Sequence, residues 1–201
     1  MRPILLVGSV VLLGLLLFYI LSIHDFLAVN RPLNGQVLVV EGWFPQVPGM
    51  KDAAQAIQRG NYRSVLCVAV DLPDAHASQA LPSSQRAANR LIQLGVDAKL
   101  IHVLSVPAVN RDRTYQCALA VRAWLQEQQP DAVAIDVFTA GIHARKSQIL
   151  YQKALSPGVN VGVIAATESA YPFTHWWLSR HGIYLIVRNT IGYFYALAHS
   201  R

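Results

Sequence analysis

Three observations predict an α/β fold, a three-layer Rossmann-like parallel sheet with helices on both faces, preceded by one N-terminal transmembrane helix. Five short apolar runs rich in Val, Ile and Ala recur between residues 37 and 165, and each is followed by a break and a stretch of helical period. The runs are apolar almost throughout instead of alternating, which is how strands covered on both faces read. Strands and helices that alternate along the chain build a parallel sheet. Ahead of them, residues 4–22, ILLVGSVVLLGLLLFYILS, form nineteen positions without a charge, enough to cross a bilayer core of about 30 Å as a helix.

The elements follow in order. A cleavable signal peptide has a shorter apolar region and a small-residue exit; here the exit is Ile23-His24-Asp25-Phe26-Leu27, so residues 4–23 read as an uncleaved signal anchor. Arg2 and the terminal amine precede it, while Asp25 and Arg31 nearly cancel after it. That bias predicts a cytoplasmic N-terminus and an exported body, on the periplasmic side of the inner membrane in a bacterium. Residues 24–36 read as a linker, with Pro and Gly in NRPLNGQ. The domain then occupies 37–199. Its first strand, 37–40, runs into Glu41-Gly42-Trp43, and the helix over 49–59 stops at Gly60. A second strand, 64–70, ends at Asp71, with an irregular region over 72–84 and a helix over 85–94 closed by Gly95. A third strand is expected at 99–104 and a helix at 114–128. The fourth strand, 134–138, breaks at Thr139-Ala140-Gly141 and continues as a helix from His143, and a fifth strand covers 160–165. Toward the end, His175-Trp176-Trp177 reads as helix, the β-branched run 183–187 as a strand, and 190–199 as a closing helix capped by Asn189 or Thr190. A second membrane span over 183–198 is disfavoured by Arg188 and Asn189 near its middle.

Composition narrows the function. The chain has 201 residues, enough for one domain with a full core. Its net charge of +6 suits an acidic surface or a phosphorylated ligand. Without a Lys/Arg block or a recognition motif, nucleic acid is not an expected partner. No GxGxxG, GxxxxGK[ST], GxSxG or HExxH is present, so dinucleotide enzymes, P-loop ATPases, α/β-hydrolases and zincins lose ground. Cys67 and Cys117 belong to no CxxC; they read as buried thiols, with a disulfide open to them if the fold brings them together.

In such sheets ligands sit beyond the carboxyl ends of the strands. Glu41, Asp71, the Asp112-Arg113-Thr114 element, Thr139, His143 and Arg145 all fall there. Glu41, Asp71 and His143 are the candidate catalytic groups, the two acids also having the chemistry to hold a sugar hydroxyl. Arg113, Thr114, Thr139 and Arg145, with the helix N-terminus, are the candidate phosphate ligands. The plainer alternatives are a helix cap at Asp112 or Thr114 and a structural ion pair between Glu41 and Arg113 or Arg145. His143 alone makes no metal site and no metal ligands are assigned, although Glu41 and Asp71 also have the chemistry to bind a metal; the sequence does not identify a cofactor.

Taken together, the N-terminal anchor, the strand ending VVEGW, the element NRDRTYQCA and the strand-turn-helix TAGIHARKSQILYQKAL resemble the SanA/ElyC/YdcF family over residues 36–198. Glu41-Gly42-Trp43 replaces that family's glycine-rich first loop, and Val70-Asp71 its Ser/Thr-Gly-Gly. The resemblance implies a Rossmann-like domain, often membrane-anchored, linked to envelope integrity and to peptidoglycan or surface-polymer assembly on a lipid carrier. Two readings follow. In one, the site binds or processes a phosphorylated intermediate, such as a polyprenyl-phosphate-linked sugar, with membrane lipid around the anchor. In the other, the chain is a non-catalytic envelope factor whose aromatic segments touch lipid or a partner. A nucleotide-type ligand is a weaker third.

Overall fold

The computed structural model describes residues 2–44, 47–71 and 81–199. The irregular region read over 72–84 therefore lies, as far as residue 80, outside the described residues. Five strands, β1 (Val37–Glu41), β2 (Ser64–Val70), β3 (Ile101–Val106), β4 (Ala134–Ala140) and β5 (Asn160–Ala166), form one sheet in the order β3-β2-β1-β4-β5. Every pairing is parallel. The chain winds outward from β1 to β3, then crosses to β4 and β5 on the other side. That reversal opens a crevice at the carboxyl ends of β1 and β4.

Alternate side chains on each strand serve opposite faces. Leu38, Val40, Cys67 and Phe138 meet α2 (Val47–Arg59) and α3 (Ser83–Gln93) through Met50, Ala53, Ala87 and Leu91. Val37, Val39, Leu66, Val68 and Val137 meet α4 (Arg113–Gln128) and α5 (Ala144–Leu155) through Ala118, Val121, Leu125, Tyr151 and Ala154. Each fully buried aliphatic side chain contributes about 1.5–3 kcal/mol relative to exposure. The two cysteines fall in different cores, so the fold excludes the disulfide. Both are free, and burial pushes both thiols up to about 12.

Most expected boundaries stand within two or three residues. The third strand begins later than read, because the Asp97 side chain accepts the Lys99 amide and starts a 3-10 turn over Ala98–Leu100. The end of the chain differs in kind. Residues 183–187 are not a strand, and no separate helix begins at 190: one helix, α6 (Arg180–Ala198), covers both. Its cap is Ser179, whose hydroxyl accepts the Gly182 amide at 3.2 Å. The buried positions Gly182, Ile186, Asn189 and Ala196 keep a helical period through the β-branched run. Tertiary burial has overridden local strand preference.

The stretch read as a linker is fixed to the sheet. Arg31 pairs antiparallel with Val163, and the buried Asp136 carboxylate accepts the amides of Leu33 (2.7 Å) and Gly35 (3.1 Å) and the Tyr62 hydroxyl (3.0 Å). The first helix, α1 (Arg2–Leu27), extends beyond the expected segment. Its stretch Val7–Leu27, with mean hydropathy 2.2, is long and apolar enough to cross a membrane. Its last two turns dock beside the carboxyl edge of the sheet: Ile23 and Leu27 pack with Ile142, Trp176 and Ile186, Trp176 Nε1 donates to the Ile20 carbonyl at 3.1 Å, and Tyr19 Oη lies 3.4 Å from Thr190 Oγ1.

Candidate functional site

The crevice at the β1/β4 carboxyl ends deepens into a cleft of about 710 Å³. It is lined by Glu41 and His143, by the start of α4 and by one side of α6. Glu41 closes β1 and is 2 % exposed. Gly42 follows it, and a Cβ there would lie 3.0 Å from the Ser83 carbonyl oxygen and from Ser84 Cα, so a side chain at this turn would crowd the N-terminus of α3.

Three donors hold the Glu41 carboxyl. Thr139 Oγ1 donates to Oε2 at 2.5 Å, Trp43 Nε1 to the same oxygen at 3.0 Å, and Ser147 Oγ lies 3.2 Å from both oxygens. Burial raises the Glu41 pKa above the carboxylate range, and these donors, with the nearby Lys146 charge, only partly offset it. His143 shows the complementary effect. Burial, reinforced by Lys146, drives its pKa well below that of free imidazole, against the opposing effect of the hydrogen bond that Asn189 Oδ1 accepts from it. Both groups are thereby pushed toward their neutral forms. His143 Nε2 and Glu41 Oε2 are 4.0 Å apart, too far for a direct hydrogen bond and near enough to address the same atom of a ligand.

The hydrogen-bond network assigns the imidazole tautomer. Asn189 Nδ2 donates to the Leu185 carbonyl at 2.9 Å, which turns its Oδ1 toward His143 Nδ1 at 3.2 Å. Nδ1 therefore carries the proton, and Nε2 keeps its lone pair facing the cleft, with Thr114 Oγ1 3.4 Å away. A neutral imidazole with a free lone pair has the chemistry of a general base, and a carboxyl whose pKa is raised that of a general acid.

The remaining lining is cationic. Arg111, Arg113, Lys146, Lys153 and Arg188 border the cleft against the acids Glu41 and Asp112. Lys153 is already engaged, donating to carbonyls at the end of α6, the nearest being Ala196 at 2.5 Å. Lys146 is mostly buried, and that burial, with Arg188 and Arg113 nearby, lowers its pKa although Glu41 opposes the shift. Asp112 takes a left-handed conformation, φ 55°, and its side chain makes no cap bond to α4. The α4 N-terminus adds its partial positive charge. Such a lining suits an anion with several oxygens.

Of the residues read from sequence, Glu41, Arg113, Thr114 and His143 line this cleft together. Thr139 is fully buried behind it and spends its hydroxyl on Glu41. Asp71 ends β2 outside the lining, with one carboxyl oxygen buried and unpaired among the described residues. Arg145 is directed elsewhere: its guanidinium binds the Phe26 carbonyl and lies 4.0 Å over the Phe26 ring, clamping the end of α1. It is not positioned as a phosphate ligand. No Glu41 ion pair with Arg113 or Arg145 forms. Sequence reasoning missed Trp43, Ser147, Arg188 and Asn189, and of the neighbours Arg145 and Lys146, both open to it as the basic residue after the histidine, it took Arg145. Among the described residues, no group of three His, Cys, Asp or Glu side chains stands close enough to hold a metal ion. Comparison with known protein families, curated proteins and solved structures finds no match to this chain.

Proposed function

We propose that this chain is a membrane-anchored envelope protein that binds a phosphorylated, lipid-linked intermediate of peptidoglycan or surface-polymer assembly in the β1/β4 cleft. In this reading α1 is a single-pass anchor in a bacterial inner membrane and the body lies on the exported side. The observation that carries it is the cleft's position. A cationic pocket with a buried acid-base pair is lined by α6 and by His143, and the same helix and the adjoining Ile142 pack against the end of the helix that would hold it at a bilayer. Arg113, Lys146 and Arg188 would take the phosphate oxygens, and Thr114 would take a bridging or sugar oxygen. His143 and Glu41 are the groups available for proton transfer. The resemblance to the SanA/ElyC/YdcF family supports the same assignment to envelope assembly.

The test is a thermal-shift series on the full chain in detergent with farnesyl phosphate, glucose 1-phosphate and inorganic pyrophosphate, repeated with Lys146→Met. Binding to the folded state alone raises stability by mass action. The expected result is stabilisation by the phosphorylated ligands, strongest for the prenylated one, and its loss in the variant. Equal stabilisation of both proteins, or none by any ligand, would remove the anion site and leave the non-catalytic envelope-factor reading.

A further inference from the structure

We propose that α6 is a second membrane-contacting element, an interfacial helix whose exposed apolar stripe sits in the leaflet that α1 enters. The cleft then opens onto lipid headgroups and takes its ligand from the bilayer instead of from water. The inference rests on the reading of α1 as an anchor.

Tyr184, Val187, Ile191 and Phe194 follow one another at helical spacing on the face of α6 opposite its buried positions Gly182, Ile186 and Asn189. Phe194 is 61 % exposed. An apolar stripe of this kind facing water marks a contact surface. Its place on α1 says which. The ring of Phe26 meets Tyr193 at 5.2 Å, and Tyr19 meets Thr190, so α6 crosses α1 level with residues 19–26, the last two turns of the apolar stretch. Where α1 enters a bilayer, the stripe is carried to the same depth. Its apolar surface continues that of α1.

Charge favours lipid over a second copy or a protein partner. α6 contains Arg180 and Arg188 and no acid, which complements an anionic leaflet and would repel a like-charged copy. Arg188 stands between the stripe and the cleft, its guanidinium 6.0 Å from the Tyr184 ring. A long stem over apolar surface with its charge at the headgroups is how arginine sits at an interface. The same side chain would meet a lipid phosphate as it leaves the leaflet.

The test is nitroxide accessibility in the full chain, reconstituted in phosphatidylethanolamine/phosphatidylglycerol vesicles, with single labels at Leu12→Cys, Val187→Cys, Phe194→Cys and Gln126→Cys. The native cysteines are buried and would stay unlabelled. Leu12 reports on α1 and Gln126 on the water-facing amino edge of the sheet. Oxygen concentrates in lipid and a nickel chelate in water, so the expected oxygen-to-nickel accessibility ratio is above unity at residues 12, 187 and 194 and below it at 126. A lipid signature at 12 with an aqueous one at 187 and 194 overturns the interfacial helix and leaves the anchor standing. An aqueous signature at 12 as well overturns both. Low access to both reagents at 187 and 194, with spin-spin broadening, would show a second copy on the stripe and equally overturn the proposal.

Discussion

His143 Nδ1 lies 3.2 Å from the side-chain oxygen of Asn189, and that contact decides which ring nitrogen faces the cleft. The amide is itself oriented by its bond to Leu185, which keeps its oxygen on His143. Asn189→Asp places a carboxylate on Nδ1 and should move the His143 pKa upward by about one unit or more. Histidine NMR titration measures this, with the resonance identified by its loss in His143→Gln. An unchanged titration would mean that the tautomer is set by something other than Asn189.

Glu41 and His143 should impose opposite pH dependences on stability. Glu41 has a folded pKa raised above 4.5, so between 4.5 and the folded value the native state holds a proton that the unfolded chain has released. Stability falls as pH rises through that window. His143 has a folded pKa below 6.5, so as pH falls below 6.5 the unfolded chain takes a proton first and stability falls toward acid. In the intact protein the two slopes partly cancel. Glu41→Gln should therefore escape this penalty and be more stable than the parent near pH 7. The advantage should vanish below 4.5, leaving the histidine slope exposed. His143→Gln should show the reverse slope. Urea unfolding across about pH 4–8 reads both. A Glu41→Gln protein less stable near neutrality would mean that the carboxylate is ionised and held by Lys146.

The sheet, its helices and the edge that carries the site were legible because continuous apolar runs and glycine stops are local signals. The membrane-length segment was legible for the same reason. What the sequence did not resolve was which side of each helix faces the cleft. On α5 and the turn before it, His143, Lys146 and Ser147 share one face at spacings of three and four, whereas Arg145, two residues from His143, points away. Counting the helical period from His143 would have chosen Lys146. Arg188 and Asn189 were hidden differently: the β-branched run 183–187 reads as a strand, and only packing against α1 and the turn at Ile142 makes it helix. Asp71 directly follows its strand as expected, yet its neighbour Val70 lines the cleft and Asp71 does not.

That distinction between neighbours gives a direct comparison. Lys146→Met removes a charge-assisted bond to any bound phosphate and should weaken inorganic pyrophosphate binding about tenfold or more. Arg145→Ala should leave that affinity unchanged. It should instead lower stability by about 1 kcal/mol, through the lost contacts to Phe26. Calorimetric titration and thermal melts of the two variants separate the roles. Loss of pyrophosphate binding in Arg145→Ala, with Lys146→Met unaffected, would reverse the assignment.

At the opposite edge of the sheet, Asp136 and Gly162 set up a prediction about stability alone. Asp136 pairs in register with Gly162, and a Cβ on Gly162 would come within 2.0 Å of Asp136 Oδ1 and 2.6 Å of the Leu33 amide. The glycine leaves room for the carboxylate to reach across and accept the two backbone amides that fasten residues 33–35. Gly162→Ala must displace the carboxylate or that backbone, and should cost about 3 kcal/mol or more. Asp136→Asn puts an amide group where acceptors are needed, strands a buried donor, and should cost about 1–3 kcal/mol. Because both variants act on the same contact, the double variant should lose much less than the sum of the two. Urea denaturation of the three proteins gives the coupling, and additive losses would show that Gly162 matters for a reason unrelated to Asp136. In each single variant the folded fraction should still bind pyrophosphate, because the cleft lies at the other end of β1 and β4.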